Sequence, residues 1–207
     1  MARDITLTPA LVVQAARVTA VTLLLTGLAY PLLVTGLAQL LLPSRANGSL
    51  VEDERGRVVG SELVAQGFTS PGYLWPRPSA AGAKGWDPTA SGGSNLGPTS
   101  STLRARVAAE LERLRRENPA AVGPVPAELV TTSGSGLDPH LSPSAASWQA
   151  ARIAAARGVS VDRVQSVIDG ATEGRDLGFL GEPRVNVLLV NLAFDRRFGA
   201  TSGGPQR

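Results

Sequence analysis

VTAVTLLLTGLAYPLLVTGLAQLLL, residues 18 to 42, decides how this chain is laid out. No charged side chain occurs between Arg17 and Arg45, and about 20 apolar residues suffice for a helix to cross a bilayer once. A cleaved secretory signal is the rival reading, but its apolar stretch runs only roughly 7 to 15 residues, and Arg17 stands far from the start. The pattern predicts a short tail over 1–17, a transmembrane helix over 18–42 and one soluble domain over 43–207. The expected fold class is α+β: one N-terminal transmembrane helix followed by a single mixed α/β domain.

Flanking charge hardly sets the orientation. Arg3 and Arg17 precede the apolar run; Arg45, Arg55 and Arg57 follow it, diluted by Glu52, Asp53 and Glu54. Within the run, Pro31 predicts a kink. At about 100° per residue Thr22, Thr26, Ala29 and Gly36 fall on one face, where small side chains and hydroxyls suit a packed partner helix.

The 207 residues carry 20 Lys+Arg against 17 Asp+Glu, a net charge of +3. Lys84 is the only lysine, the arginines are scattered, and aromatic residues are sparse, which excludes a polybasic arm or a base-stacking platform for nucleic acid. Cysteine is absent, compatible with an oxidising exterior because a domain of this size can bury a core without disulfides.

Beyond the apolar run, Ser49 to Val64 predicts a β-hairpin turning at Glu54-Arg55-Gly56. Phe68 to Pro98 is rich in Gly, Pro and Ser, yet Tyr73, Trp75 and Trp86 need burial, so it reads as an ordered functional loop. Leu103, Val107, Leu111 and Leu114 mark a helix capped near Ser100 or Ser101 and stopped at Asn118-Pro119. Its other face, with Arg106 facing Glu110 and Glu112 facing Arg116, reads as solvated. Ser142 and Pro143 open an Ala-rich helix closed by Gly158, and Ser160 caps another with Val161, Val164, Val167 and Ile168 inward. Val185 to Val190 predicts a buried strand, and Arg196 to Arg207 a frayed basic tail.

No nucleotide-hydrolysing motif is present: Gly82-Ala83-Lys84-Gly85 lacks Walker A spacing, and Gly134-Ser135-Gly136 lacks the third glycine of a dinucleotide fingerprint. Ser133 to His140 holds a hydroxyl, a carboxylate and the single histidine. A membrane-anchored serine hydrolase would use Ser135 as nucleophile, His140 as base and Asp138 as orienter. Position 133 is Ser where the nucleophile elbow needs Gly, and triad members normally come from separate segments. One histidine also excludes a multi-histidine metal site. Ser91, Gly92, Gly93 and Asn95 lie in a run able to form an anion-holding nest or simply tight turns.

Six segments in order carry a resemblance: YPLLVTG (30–36), ANGSL (46–50), RPSA (77–80), SGGSNLGP (91–98), LVTTSGSGLDPH (129–140) and GFLGEPRVN (178–186). Over about residues 20 to 195 the chain resembles the C subunit of the bacterial Kdp potassium-transporting P-type ATPase. The resemblance implies a non-catalytic subunit beside a channel-like, potassium-binding A subunit and an ATP-hydrolysing B subunit. It implies a cytoplasmic N-terminus in the cell membrane and a soluble domain outside, over the A subunit's entrance. Potassium is then the transported ion of the complex, and no cofactor is bound tightly. The family is also described as a catalytic chaperone raising the B subunit's ATP affinity. An external domain cannot touch cytosolic ATP across about 30 Å of hydrocarbon, so that effect has to be indirect. Ser91, Gly92, Gly93, Asn95, Ser133, Ser135, Asp138 and His140 are the expected ligand or partner loop. Asp138, Asp176 and Glu182 are candidates for concentrating potassium by a local field.

Overall fold

A computed structural model describes residues 8–53 and 55–201. Arg3, Glu54 and the end of the expected basic tail lie outside the described residues. The chain divides into two compact units, residues 1–49 and 50–207.

In the first unit, helix α1 (Pro9–Leu24), a π-helical turn (Leu25–Ala29) and α2 (Tyr30–Leu41) form one rod of 33 residues. Mean hydropathy reaches 1.8 over its most apolar window, and none of that window is buried. The rod is long and apolar enough to cross a membrane. The helix extends beyond the expected span: Thr8 accepts from the Leu11 N–H and Pro9 sits in the first turn, so helix begins well before residue 18. That capping signal lay outside the uncharged run.

Pro31 does not simply kink the rod. The π turn precedes it, with the Tyr30 N–H reaching the Leu25 carbonyl five residues back. One extra residue in a turn rotates everything after it by about 100°, so Gly36 leaves the face that Thr22, Thr26 and Ala29 would share in a continuous α-helix. Thr26 meanwhile donates to the Thr22 carbonyl at 2.8 Å, an internal bond. At the far end, Gln39 and Asn47 exchange amide hydrogen bonds at 3.3 and 3.2 Å beside the short helix α3 (Pro43–Ala46).

The second unit opens with an antiparallel hairpin, β1 (Leu50–Glu52) and β2 (Val58–Ser61), whose turn uses Gly56 at φ 69°. Helix α4 (Ser101–Glu117) is capped by the Ser100 hydroxyl, as its sequence predicts. Next come β3 (His140–Leu141), α5 (Pro143–Trp148), α6 (Ala150–Arg157), α7 (Val161–Gly170), β4 (Thr172–Glu173), β5 (Arg184–Asn186) and α8 (Val187–Phe198). The three short strands make an antiparallel sheet in the order β3-β5-β4. With its mixed helices and small sheets, this unit is the α+β domain expected.

Three local expectations change. Only Arg184–Asn186 is strand; from Val187 the chain is helix, because Asn186 caps it and Val187, Val190, Asn191 and Phe194 bury at helical spacing. The same helix carries Arg196 to Phe198, so the basic tail starts later than expected. The Ala-rich helix is two, broken at Gln149, though Gly158 closes the second at φ 65°. Ser160 holds the N-cap position of α7, but its hydroxyl makes no capping bond.

The core gathers Leu74, Leu114, Leu141, Ile153, Ile168, Val185 and Phe194, all under 3 % exposed. Through it passes the stretch Tyr73-Leu74-Trp75, which pairs with no strand among the described residues. Buried side-chain amides take a partner strand's place. Asn191 accepts from the Leu74 N–H at 2.7 Å and donates to its carbonyl at 3.0 Å. Gln149 does the same for Trp75, at 3.0 and 3.2 Å. Arg152 completes the clasp: it donates to the Pro71 and Tyr73 carbonyls, Asn118 and Gln149, and lies 3.5 Å over the Trp75 ring. Burial pushes its guanidinium down to about 9, an effect that the charge of Glu117 opposes and that of Arg113 adds to.

Candidate functional site

The clasp fixes one end of the long Gly- and Pro-rich loop, and the rest of that loop folds onto residues 131–142. Ser79 Oγ donates to the Gly136 carbonyl at 2.6 Å and accepts from the Trp86 N–H at 2.8 Å. The Gly92 N–H and the Ser91 hydroxyl both donate to the Ser135 carbonyl, at 2.8 and 3.2 Å. Gly136, at φ 68°, sits so close that a Cβ there would stand 2.6 Å from the Gly92 carbonyl oxygen and 2.8 Å from the Ala81 nitrogen. A Cβ on Gly93 would likewise lie 3.0 Å from the Gly134 carbonyl. Glycine here answers close backbone approach.

The two expected loops therefore meet, but the chemistry proposed for each residue changes. In the expected nest the Gly92 N–H already has its acceptor, and Asn95, at φ 50°, is exposed. Ser135 Oγ accepts from the Leu137 N–H at 3.1 Å and lies 3.4 Å from Ser133 Oγ. Among the described residues no hydrogen bond joins Ser135 to His140, so nothing primes a nucleophile. Asp138 accepts from the His140 N–H at 3.0 Å and from Arg77 at 3.1 Å. The His140 side chain and Arg77 hold the Asp138 carboxyl below the usual carboxylate range. These are the bonds of an interlocked structural joint.

The carboxylates expected to gather cations are each paired with arginine: Asp138 with Arg77, Asp176 with Arg184, Glu182 with Arg175. Such pairing cancels the local field that the potassium reading needs.

A feature that composition did not flag lies between β4 and β5. Asp176 and Leu180 form an antiparallel bridge, and the tip turns through Leu177 at φ 53° and Gly178 at φ 83°. Leu177 is 83 % exposed, Phe179 69 % and Leu180 49 %. Ion pairs Arg175–Glu182, Arg184–Asp176 and Arg184–Glu173 brace its base. An apolar tip held out on a braced hairpin has the form of a docking element. Its signal in the sequence is three large apolar residues interspersed with glycine in DLGFLG (176–181).

A family model described as KdpC, the K+-transporting ATPase c chain, matches residues 12–196. The chain belongs to this family. A potassium-transporting ATPase KdpC subunit from Myxococcus xanthus is 71 % identical over 185 residues, covering 89 % of this chain and 87 % of the relative. The KdpC subunit of Caulobacter sp. strain K31 is 58 % identical over 176 residues, 85 % of this chain and 88 % of that one. The one from Rhodospirillum rubrum is 56 % identical over 193 residues, 93 % and 96 % of the two chains. The match runs through apolar rod, interlocked loops and hairpin alike, and it makes the chain an accessory, non-catalytic subunit in potassium transport.

Proposed function

We propose that this chain supports assembly of an ATP-driven, high-affinity potassium importer as a single-pass subunit, with its N-terminus cytoplasmic and its soluble domain outside. Its partners are a channel-like potassium-binding A subunit and an ATP-hydrolysing B subunit. The family match across residues 12–196 is the observation that carries this reading. The uncovered apolar rod supports it, as does the hairpin tip of Leu177, Phe179 and Leu180, since both expose surface that water penalises. Residues 91–95 and 133–140 serve as the rigid joint that holds the domain's shape toward its partners. Any rise in the B subunit's ATP affinity acts through the conformational equilibrium of the complex, because an external domain shares no compartment with the nucleotide.

Co-purification tests this directly. The tagged full chain should retain two larger membrane subunits in mild detergent, and the Leu177→Ser/Phe179→Ser variant should retain markedly less while melting at an unchanged temperature. Recovery of the chain alone, from cells expressing all subunits, would overturn the proposal.

A further inference from the structure

A concave region that borders the joint at Ser79 and Trp86 has no assigned role. A pocket of about 540 Å³ opens between α4 and the loop at residues 82–86, walled by Phe68, Trp75 and Trp86 and carrying Lys84, Arg106, Arg113 and the carboxylate of Glu110. Its size falls in the range of roughly 300–1,000 Å³ typical of small-molecule sites.

Three polar atoms of its lining residues are sealed from solvent without a hydrogen-bond partner: Nε and Nη2 of Arg106, and Nε1 of Trp86. All three are donors. A buried donor without an acceptor costs about 1–3 kcal/mol, more when charged, so each calls for a physical explanation. The carboxylate that helical spacing offers to Arg106 is taken: Glu110 is bound by Arg113, whose Nη1 also reaches Glu117 at 2.8 Å. This overturns the solvated Arg106–Glu110 pair expected from sequence. Nε and Nη2 form one edge of the guanidinium fork, the edge that takes two oxygens of an oxyanion side by side.

The loop over the pocket carries strained backbone. Gly82 and Gly85 stand at φ 70° and 77°, and between them and Asp87 the bulky Trp86 is held at φ 53°, a conformation that costs a large side chain free energy. Lys84 is exposed at the loop's crest. Arg106, Lys84 and the Trp86 indole N–H are donors that line one pocket. A carboxylate gripped side-on by Arg106 commits both its oxygens there, whereas a tetrahedral oxyanion keeps further oxygens for the other two donors.

We infer that this pocket binds a phosphate group, gripped by the Nε–Nη2 edge of Arg106, the Trp86 indole N–H and Lys84, with the aromatic wall covering an apolar portion of its carrier. Occupancy requires the glycine-flanked loop to shift and uncover Arg106. The source is either a soluble phosphate or phosphate monoester, or the headgroup of an anionic lipid.

The test uses the full chain in a non-ionic detergent at fixed ionic strength, with tryptophan fluorescence and thermal midpoint as readouts. One arm titrates inorganic phosphate against chloride and acetate; the other titrates short-chain phosphatidic acid against diacylglycerol of the same chain length. Saturable response to inorganic phosphate supports the site with a soluble source. Response to phosphatidic acid alone supports it with a lipid source. Arg106→Lys keeps the charge but loses the fork, and should weaken binding by roughly tenfold or more. Lys84→Gln, an exposed substitution that leaves the fold intact, should weaken it less. No saturable response in either arm, equal competition by acetate, or full-strength binding to both variants would overturn the inference.

Discussion

Replacing Asn191 with leucine probes the feature on which the domain's architecture rests. The amide satisfies both backbone groups of Leu74, a residue with no exposed surface, at 2.7 and 3.0 Å. Leucine has nearly the same shape but neither donor nor acceptor. Two buried backbone groups then lose their partners, at about 1–3 kcal/mol each, for a total of about 2–6 kcal/mol. Against a typical net stability of about 5–15 kcal/mol this is a large fraction. At roughly 2–4 °C per kcal/mol for a domain of this size, the melting midpoint should fall by about 10 °C. Circular dichroism of the purified full chain reads that shift, and Trp75 emission should move to the red as the loop loosens. A cost under about 1 kcal/mol would refute the argument, because it would mean that the Leu74 backbone finds other partners or reaches water.

Further outcomes follow from other contacts. Gly136→Ala should destabilise by about 2 kcal/mol or more, from positive φ and from backbone atoms 2.6 and 2.8 Å away, whereas Gly134→Ala, with open space, should be close to neutral in the same melt. The backbone and side chain of Arg57 lower Asp53 from 3.8 to about 2. The unfolded carboxylate binds protons more readily, so the β1–β2 turn is fully supported above about pH 4 and loses support as pH falls toward 2; amide exchange at Gly56 and Arg57 should quicken across that window. Ser135→Ala and His140→Ala should leave potassium uptake by the assembled complex unchanged, and a fluorophosphonate probe should not label the wild-type chain, since Ser135 lacks an activating base.

Elements whose cause is local were legible from residue order. The apolar rod follows from an uncharged run, α4 from Ser100 and a leucine repeat, the end of α6 from Gly158, and the first hairpin from its glycine turn. Family membership was equally legible, because order and spacing of short motifs survive without reference to packing. The Val187 to Val190 run was not, since four apolar residues satisfy either period and a neighbouring cap decides between them. Nor was the π turn before Pro31, which depends on how freed carbonyls are shared along one rod.

Sequence by itself determined that a long apolar helix precedes a domain of short helices and strands, and that no familiar hydrolytic motif is present. Tertiary structure alone decided which polar groups meet. Asn191 and Gln149 reach a stretch more than 70 residues away, Arg113 takes the carboxylate that Arg106 faces in helical register, and arginines cancel Asp138, Asp176 and Glu182. Hydrogen bonds and ion pairs act over a few ångströms of space, whatever their separation along the chain. Their partners therefore exist only once the core has closed.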